Sequence, residues 1–435
     1  MNPGRILTVL LLAVGLIGSL VNGGVIYSRI LYMGLLLIIF TWLWAQLSIL
    51  WIRVERQARS LRASVGDIFE ERYEVINNGR LLSLWVEISN ETNMPGAAGS
   101  RVLTMLTSRQ KRSYVARTWL AHRGGFTLGP TILKSGDPFG LFQVRRKFEA
   151  RESLIVLPMM FEISTFPSPP GILPGGRAIQ RKSLDVTPHA AGVREYTTGD
   201  TLKRIHWPTT ARRGKLMVKE FEQDPQAEVW LFLDAEKRVQ AQLPYEAPET
   251  QVDALFFGRR PKFDLPPSTL EYSISITASL AHYFIAQKRA VGLVTAGRVY
   301  TVILAERSVR QESKILETLA FLEGDGRLSL AAVITAQAQQ LPLGSSVILV
   351  TPSASNELII AIDDLQRRNL RPIVVSLNGE TFGISKDPRP LIRSLSERSI
   401  PICQIDCGAD LTKALSMFAS NDTSKDLLSW LKIPS

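Results

Sequence analysis

The sequence predicts a mixed chain: an N-terminal transmembrane helical hairpin, a small all-β sandwich and a doubly wound α/β domain. Three observations carry this expectation. The first sixty residues hold two long uncharged runs, residues 61 to 160 hold short runs of period two between turn clusters, and residues beyond 226 alternate near-continuous apolar runs with amphipathic ones. At 435 residues the chain is long enough for two or three units, each with its own core. The expected boundaries are 1–60 for the hairpin with its basic juxtamembrane segment, 61–160 for the sandwich, 161–225 for a linker and a charged segment, and 226–435 for the α/β domain.

No charge falls between Arg5 and Arg29, nor between Arg29 and Arg53, and each gap holds 23 mostly apolar residues. As a helix such a run rises about 34 Å, enough for a hydrocarbon layer of about 30 Å. Asn22-Gly23-Gly24 suggests that the first span stops early, with residues 22 to 29 as a turn, and Trp51 stands where an interfacial anchor belongs. Arg53, Arg56, Arg59 and Arg62 recur every third residue past the second span, whereas the turn carries only Arg29. The positive-inside rule therefore expects both ends of the hairpin, and the bulk of the chain, on the cytoplasmic side of the plasma membrane. On a helical extension these arginines would line one side and touch anionic lipid.

In the next segment Leu82, Leu84, Val86 and Ile88 alternate with Ser83, Trp85 and Glu87, the pattern of a strand with one buried face. Similar runs at 68–76, 101–107, 113–121, 126–134 and 153–158, with turn clusters between them, suggest a sandwich. Two stretches are more specific than a generic turn needs: HRGGFTLGP, which includes Gly125, and GDPFGLF, with Asp137, Pro138, Phe139 and Gly140. Phe139, Leu141 and Phe142 are expected to fold back onto the sandwich. Residues 164–178, rich in proline and glycine, read as a linker.

From 226 onward the expected strands are 229–233, 290–296, 299–304, 346–351, 372–377 and 401–406, and the expected helices are 269–289, 308–322, 329–339, 356–368 and 388–398. Apolar strands between amphipathic helices suit a parallel sheet covered on both faces. Ligands of such sheets sit at the carboxyl ends of strands, here near Asp234, Thr295 and Thr351. Cys403 and Cys407 are the only cysteines, which excludes a disulfide framework, and their spacing matches neither a zinc knuckle nor a CxxC pair.

Chemical motifs are scarce. There is no GxxxxGK[ST], no GxGxxG after a strand, no HExxH and no GxSxG, and the four histidines, His122, His189, His206 and His282, are scattered. Residues 193–222, VREYTTGDTLKRIHWPTTARRGKLMVKEFE, carry seven basic and four acidic side chains. So mixed a patch does not suit a phosphate-tracking groove, and no nucleic-acid partner is expected. Internal charge pairs, with Ile205 and Trp207 docked on a core, make a clasp between the sandwich and the α/β domain the expected role.

Val193-Arg194-Glu195-Tyr196, Gly199-Asp200, Arg204-Ile205-His206-Trp207, Ala211-Arg212, Gly214-Lys215-Leu216 and Val218-Lys219-Glu220-Phe221-Glu222 resemble the signature of the bacterial family called domain of unknown function 58. Lys203 stands where arginine is common, and Pro208 and Thr210 replace a lysine and a serine. The RGGFTLGP and DPFGLF stretches and the paired apolar runs are also similar to that family. The resemblance implies a C-terminal domain like the von Willebrand factor A fold, in which many members hold a divalent metal through a DxSxS pattern. Asp234 matches the first position, but Glu236 and Arg238 replace both serines, and Thr351-Pro352-Ser353 lacks the later aspartate. The metal site is expected to be lost and no cofactor is expected.

The resemblance further implies a setting beside MoxR-type AAA+ ATPases and a part in assembly or maturation of envelope complexes. The expected function is thus a non-enzymatic, membrane-anchored adaptor that binds protein, with the lipid bilayer and a MoxR-type AAA+ ATPase as partners. A metal-dependent ligand-binding module is the alternative. A hydrolase is third, without a nucleophile and base that can be named.

Overall fold

A computed structural model describes residues 3–97, 99–167, 190–197, 205–221, 228–245, 263–383 and 388–418. The fold is mixed α/β, with two N-terminal apolar helices and several sheets. Two compact units share the chain. The first comprises Met1–Met160, Pro244–Pro266 and Leu316–Leu322; the second comprises Phe161–Leu243, Pro267–Ile315 and Glu323–Ser435.

The first unit begins with α1 (Pro3–Asn22) and α2 (Val25–Leu50), both long and apolar enough to cross a membrane. The turn expected over 22–29 is shorter, with Gly23 and Gly24 alone between the helices, so Arg29 lies inside α2. Both outer ends of this hairpin are tied to the β part of the same unit. Arg5 Nε donates to the Leu141 carbonyl at 2.9 Å, Arg146 Nη1 donates to the Leu50 carbonyl at 2.8 Å, and the Ser48 and Ser135 hydroxyls meet at 3.2 Å. Carbonyls in the last turn of a helix lack intrahelical donors, and Arg146 supplies one.

The β part has two sheets. One joins β1 (Ile52–Ala58), β3 (Ile68–Asn77) and β6 (Lys111–Trp119) in the order β1-β3-β6. The other has the order β2-β9-β7-β4-β5, from β2 (Arg62–Ser64), β9 (Glu152–Leu157), β7 (Gly124–Gly136), β4 (Ser83–Thr92) and β5 (Arg101–Leu106), with β8 (Gln143–Phe148) paired to β7. Inward residues of both sheets share one buried cluster, including Ile52, Tyr73 and Val75 from the first and Val86, Ile88 and Leu133 from the second. This is the packing that period-two alternation requires.

The arginine ladder corrects the sequence reading. Residues 52–58 are a strand paired antiparallel with Asn77–Glu71, not a helical extension. Ile52, Val54, Arg56 and Ala58 share one parity, so Arg56 is carried into the interior with the apolar residues, its side chain 3 % exposed, while Arg53 and Arg59 stay outside. Its guanidinium donates through Nη2 to Glu152 Oε2 and to the Leu128 carbonyl, both at 3.1 Å, and through Nη1 to Asn90 Oδ1 at 3.3 Å. Nε lies 3.9 Å from buried Glu71. Burial raises the Glu71 carboxyl above its ordinary range, and the charge of Arg56 pulls it back down. Gly129 explains part of HRGGFTLGP: at φ 89° its backbone lies where a Cβ would meet the Ala150 carbonyl oxygen at 2.3 Å and Arg56 Nη1 at 3.0 Å.

The second unit contains a six-stranded sheet of order β14-β13-β12-β15-β16-β17. Its strands are β12 (Val229–Leu233), β13 (Val291–Ala296), β14 (Tyr300–Glu306), β15 (Ser346–Thr351), β16 (Arg371–Leu377) and β17 (Ile402–Ile405), all parallel to their neighbours except edge strand β14. One face of β12, through Trp230 and Phe232, packs with a helix at Leu330–Gln337, a second at Asn356–Arg367 and a third at Arg389–Glu397. Leu231, Leu293, Ile348 and Val375, of opposite parity, are fully buried as well, and the helix Thr269–Ala286 lies against β12, β13 and β15. Burial on both faces is why these strands read as continuous apolar runs.

Arg56→Met is expected to destabilise the chain by about 3–5 kcal/mol in chemical denaturation, because it leaves the Glu71 carboxylate buried without its countercharge. The double variant Arg56→Met/Glu71→Leu should return to within about 1 kcal/mol of the parent or exceed it. Equal losses in the single and double variants would show that the cost does not come from an unpaired Glu71 carboxylate.

Candidate functional site

Three places carry residues singled out by the sequence. The first is the turn Asp137–Phe142 between β7 and β8. Asp137 is 2 % exposed; its carboxylate accepts the amide of Phe139 at 2.9 Å and that of Phe142 at 2.5 Å, an aspartate turn that closes on itself. Pro138, Phe139 and Gly140 form its tip, and Leu141, buried at 6 %, presents the carbonyl that Arg5 holds. Phe139 corrects the expectation of folding back: its ring is 56 % exposed, since the amide bonds to Asp137 point the tip away from the core. Gly125 lies in β7.

The second is the charged segment. Strand β10 (Ala190–Glu195), carrying Arg194 and Glu195, pairs antiparallel with β11 (Met217–Phe221), carrying Glu220, and between them lies α3 (Trp207–Arg213). The Tyr196 amide donates to the Leu216 carbonyl at 2.9 Å, and the His206 amide donates to the Met217 carbonyl at 2.8 Å. Thr210 Oγ accepts the Met217 amide at 3.0 Å, and Gly214, left-handed at φ 65°, ends the helix after Arg212 and Arg213. Lys215 Nζ reaches Glu195 at 3.0 Å. Gly199, Asp200 and Arg204 lie outside the described residues.

Within this ribbon Ile205, Met217 and Val218 are buried, and Ile205 bridges Val218. Trp207 is not buried: the residue is 65 % exposed, which corrects its assignment as a packed anchor. The apolar contacts of the ribbon are made by its strand residues, and no residue of α3 is buried, so the indole at the first helical position has no core to enter. Lys215, Arg212 and Arg213 are exposed beside it in sequence. His206 Nδ1 lies 2.7 Å from Thr209 Oγ, a contact that orients the imidazole at the start of the helix.

The third place is the carboxyl edge of the parallel sheet. Asp234 follows β12, which lies between β13 and β15 where the strand order reverses, and is 2 % exposed. Thr351 Oγ donates to Asp234 Oδ2 at 2.6 Å and the Glu236 amide donates to Oδ1 at 3.1 Å. Thr295 Oγ donates to the Leu233 carbonyl at 3.0 Å, and Gln240 Nε2 to the Asp234 carbonyl at 2.9 Å. The structure thus brings Asp234 and Thr351 together and keeps Thr295 on the adjacent strand. Both carboxylate oxygens already have donors from the chain, Arg238 is exposed, and among the described residues no three His, Cys, Asp or Glu side chains form a metal cluster. This donor set does not fit a divalent cation.

Burial pushes the Asp234 carboxyl up to about 6, against the pull of Thr351 and the Glu236 amide. Its native value lies above the ordinary 3.8, so the stability it contributes is complete below that value and is lost as pH rises through about 6. Asp234→Asn cannot ionise and keeps an acceptor for Thr351. The variant should therefore match the parent near about pH 4 and exceed it by on the order of 3 kcal/mol near about pH 7 in paired denaturation curves. A difference independent of pH would refute the assignment.

In the ribbon, Ile205→Ala should cost about 2–5 kcal/mol, whereas Trp207→Ala should stay within about 0.5 kcal/mol of the parent. A large loss of stability in Trp207→Ala would return the indole to a buried role.

Comparison with known proteins reaches the same segment. The model of the family described as protein of unknown function DUF58 matches residues 192–242. The uncharacterized protein YeaD of Bacillus subtilis is 24 % identical over 239 residues, covering 54 % of this chain and 51 % of that protein, so the chain spans about half the length of the curated relative it matches. Among solved structures, the CARDB domain of a Pyrococcus furiosus protein, in complex with di-metal ions, superposes with a TM-score of 0.20 at 10 % identity over 24 % of this chain and 91 % of that one. A chain of the human seminal-plasma complex of zinc 2-glycoprotein and prolactin inducible protein gives 0.19 at 9 % identity over 24 % and 92 %. Superpositions this weak carry no argument about this chain. The signature match over 192–242 and the distant Bacillus relative support the DUF58 family for this protein.

Proposed function

We propose that the chain is a non-enzymatic, membrane-anchored adaptor whose signature ribbon presents an exposed surface to a protein partner. One observation carries this reading: a structured β-hairpin and helix, closed by its own hydrogen bonds and buried apolar residues, holds Trp207 65 % exposed at the start of a helix whose last turn carries Arg212 and Arg213. Aromatic and arginine side chains are the usual anchors of protein interfaces. An indole kept out of the core costs solvation that a partner recovers.

The remaining parts of the proposal have separate supports. Two apolar N-terminal helices, with Arg53 and Arg59 exposed past the second, support insertion with the bulk of the chain in the cytoplasm. The strand order β14-β13-β12-β15-β16-β17, with a single antiparallel edge strand, supports a von Willebrand factor A-like reading of the second unit. The family resemblance supports a MoxR-type AAA+ ATPase as the partner, acting in assembly or maturation of envelope complexes. The donor set around Asp234 disfavours the metal-dependent alternative, and His206 with Thr209 makes no orienting contact to a described carboxylate that a hydrolase reading would need.

A reporter fused after Ser435 should be active in the cytoplasm only; activity on the opposite side would remove a cytosolic ATPase from consideration. Affinity capture from solubilised membranes, with and without nucleotide, should recover an AAA+ ATPase on the parent and far less on Trp207→Ala. Undiminished capture by that variant, folded like the parent, would exclude the ribbon as the docking surface.

A further inference from the structure

We infer that the open edge between β5 and β6 is a docking groove for an extended acidic peptide segment. The two sheets of the first unit come together there without being hydrogen-bonded strand to strand. Among the described residues β6 pairs with β3 alone and β5 with β4 alone, so the backbone edge of β6 has no strand partner on this side, while Arg112 meets two carbonyls of β5. A cavity of about 340 Å³ opens at this edge, lined by Arg72, Arg101, Ser113, Tyr114, Val115 and Arg117. Arg112 spans the gap, donating from Nη1 and Nη2 to the Thr104 and Met105 carbonyls at 2.8 and 3.3 Å, which holds the groove at a defined width.

Charge selects the occupant. Glu74 pairs with Lys111 and Arg72, and Glu70 pairs with Arg117 and Arg59, so two carboxylates already serve four cations. Arg101 adds a fifth, set 5.5 Å over the Tyr114 ring rather than against a carboxylate. The strip thus keeps an excess of positive charge facing an open groove, and guanidinium groups favour planar, bidentate oxyanions. A peptide rather than a nucleic acid fits for two reasons. The free edge of β6 offers amides and carbonyls that an extended backbone can pair with, and exposed Val115 in the groove lining gives its side chains apolar contact. Tyr114 has no free face for a base, because its ring is stacked on Tyr73 at 5.0 Å and covered by Arg101.

This surface lies on the first unit and is separate from the ribbon, although it rests on the reading of the chain as a protein-binding adaptor. The test uses the full purified chain in detergent and a short fluorescein-labelled peptide alternating Asp or Glu with Val, read by anisotropy. The parent should bind saturably. Arg72→Ala/Arg101→Ala should bind about tenfold or more weakly, while Arg145→Ala/Lys147→Ala, the same charge change on exposed residues of β8, should stay within about twofold. A matched peptide with proline at alternate positions, unable to donate its amides, should also bind about tenfold more weakly. Equal weakening by both double variants, or no saturable binding by a parent-like fold, would overturn the inference. Tighter binding of a single-stranded oligonucleotide that depends on Arg72 and Arg101 would overturn it as well. The probe contains no ATPase, so failure here leaves the ATPase capture result standing, and the reverse also holds.

Discussion

The first unit is organised around one buried guanidinium. Arg56 enters the interior on β1 because its parity is that of Ile52 and Val54, and once inside it must find enough acceptors to replace water. It finds them on strands of the other sheet, Asn90 on β4, the Leu128 carbonyl on β7 and Glu152 on β9, with the Glu71 carboxylate of β3 nearby at 3.9 Å as a countercharge. Apolar contacts tolerate small slips of one sheet over another, whereas a charge with several directed bonds does not. The bonds of Arg56 to Asn90, the Leu128 carbonyl and Glu152 on the other sheet therefore favour one register between the sheets.

The same constraint reaches the N-terminal helices. Strand β1 follows α2 after the single residue Trp51, so any shift of β1 in the sandwich is a shift of the second apolar helix. Arg5, Ser48 and Arg146 add bonds between the helix ends and the β7–β8 hairpin, and the aspartate turn at 137 shapes that hairpin so that the Leu141 carbonyl meets Arg5. Hairpin and sandwich thus form one piece, and the specific composition of GDPFGLF serves this junction.

The second unit places its polar residues differently. At the edge of the parallel sheet the chain spends its donors on Asp234 itself, from the Thr351 hydroxyl and the Glu236 amide, and burial still shifts the carboxyl toward its neutral form against their pull. A site evolved to hold a cation would leave those oxygens facing an opening. In the ribbon the arrangement is reversed: small aliphatic residues are buried, and Trp207 with its neighbouring cations is left outside. The ribbon faces solvent with Trp207, Arg212, Arg213 and Lys215.

Period and composition determined much of this protein. Uncharged runs marked α1 and α2, period-two alternation marked β3, β4 and β9, and continuous apolar runs marked the strands of the parallel sheet, because each pattern is a local consequence of which faces meet water or lipid. The signature segment was also legible, as a motif at 193–222 that matches a family. What only the tertiary structure decided is where individual side chains of ambiguous character went. A spacing of three made Arg53, Arg56, Arg59 and Arg62 look like one helical stripe, yet pairing with β3 imposed a period of two and sent Arg56 alone inward. The parity shared with Ile52 and Val54 was a signal available in the sequence; the acceptors and countercharge that make it tolerable were not, since the acceptors come from residues 90, 128 and 152 and the countercharge from 71. Trp207 looked like an anchor by residue type, but burial needs a facing surface, and the ribbon fills its interior with Ile205, Met217 and Val218 before the indole can enter.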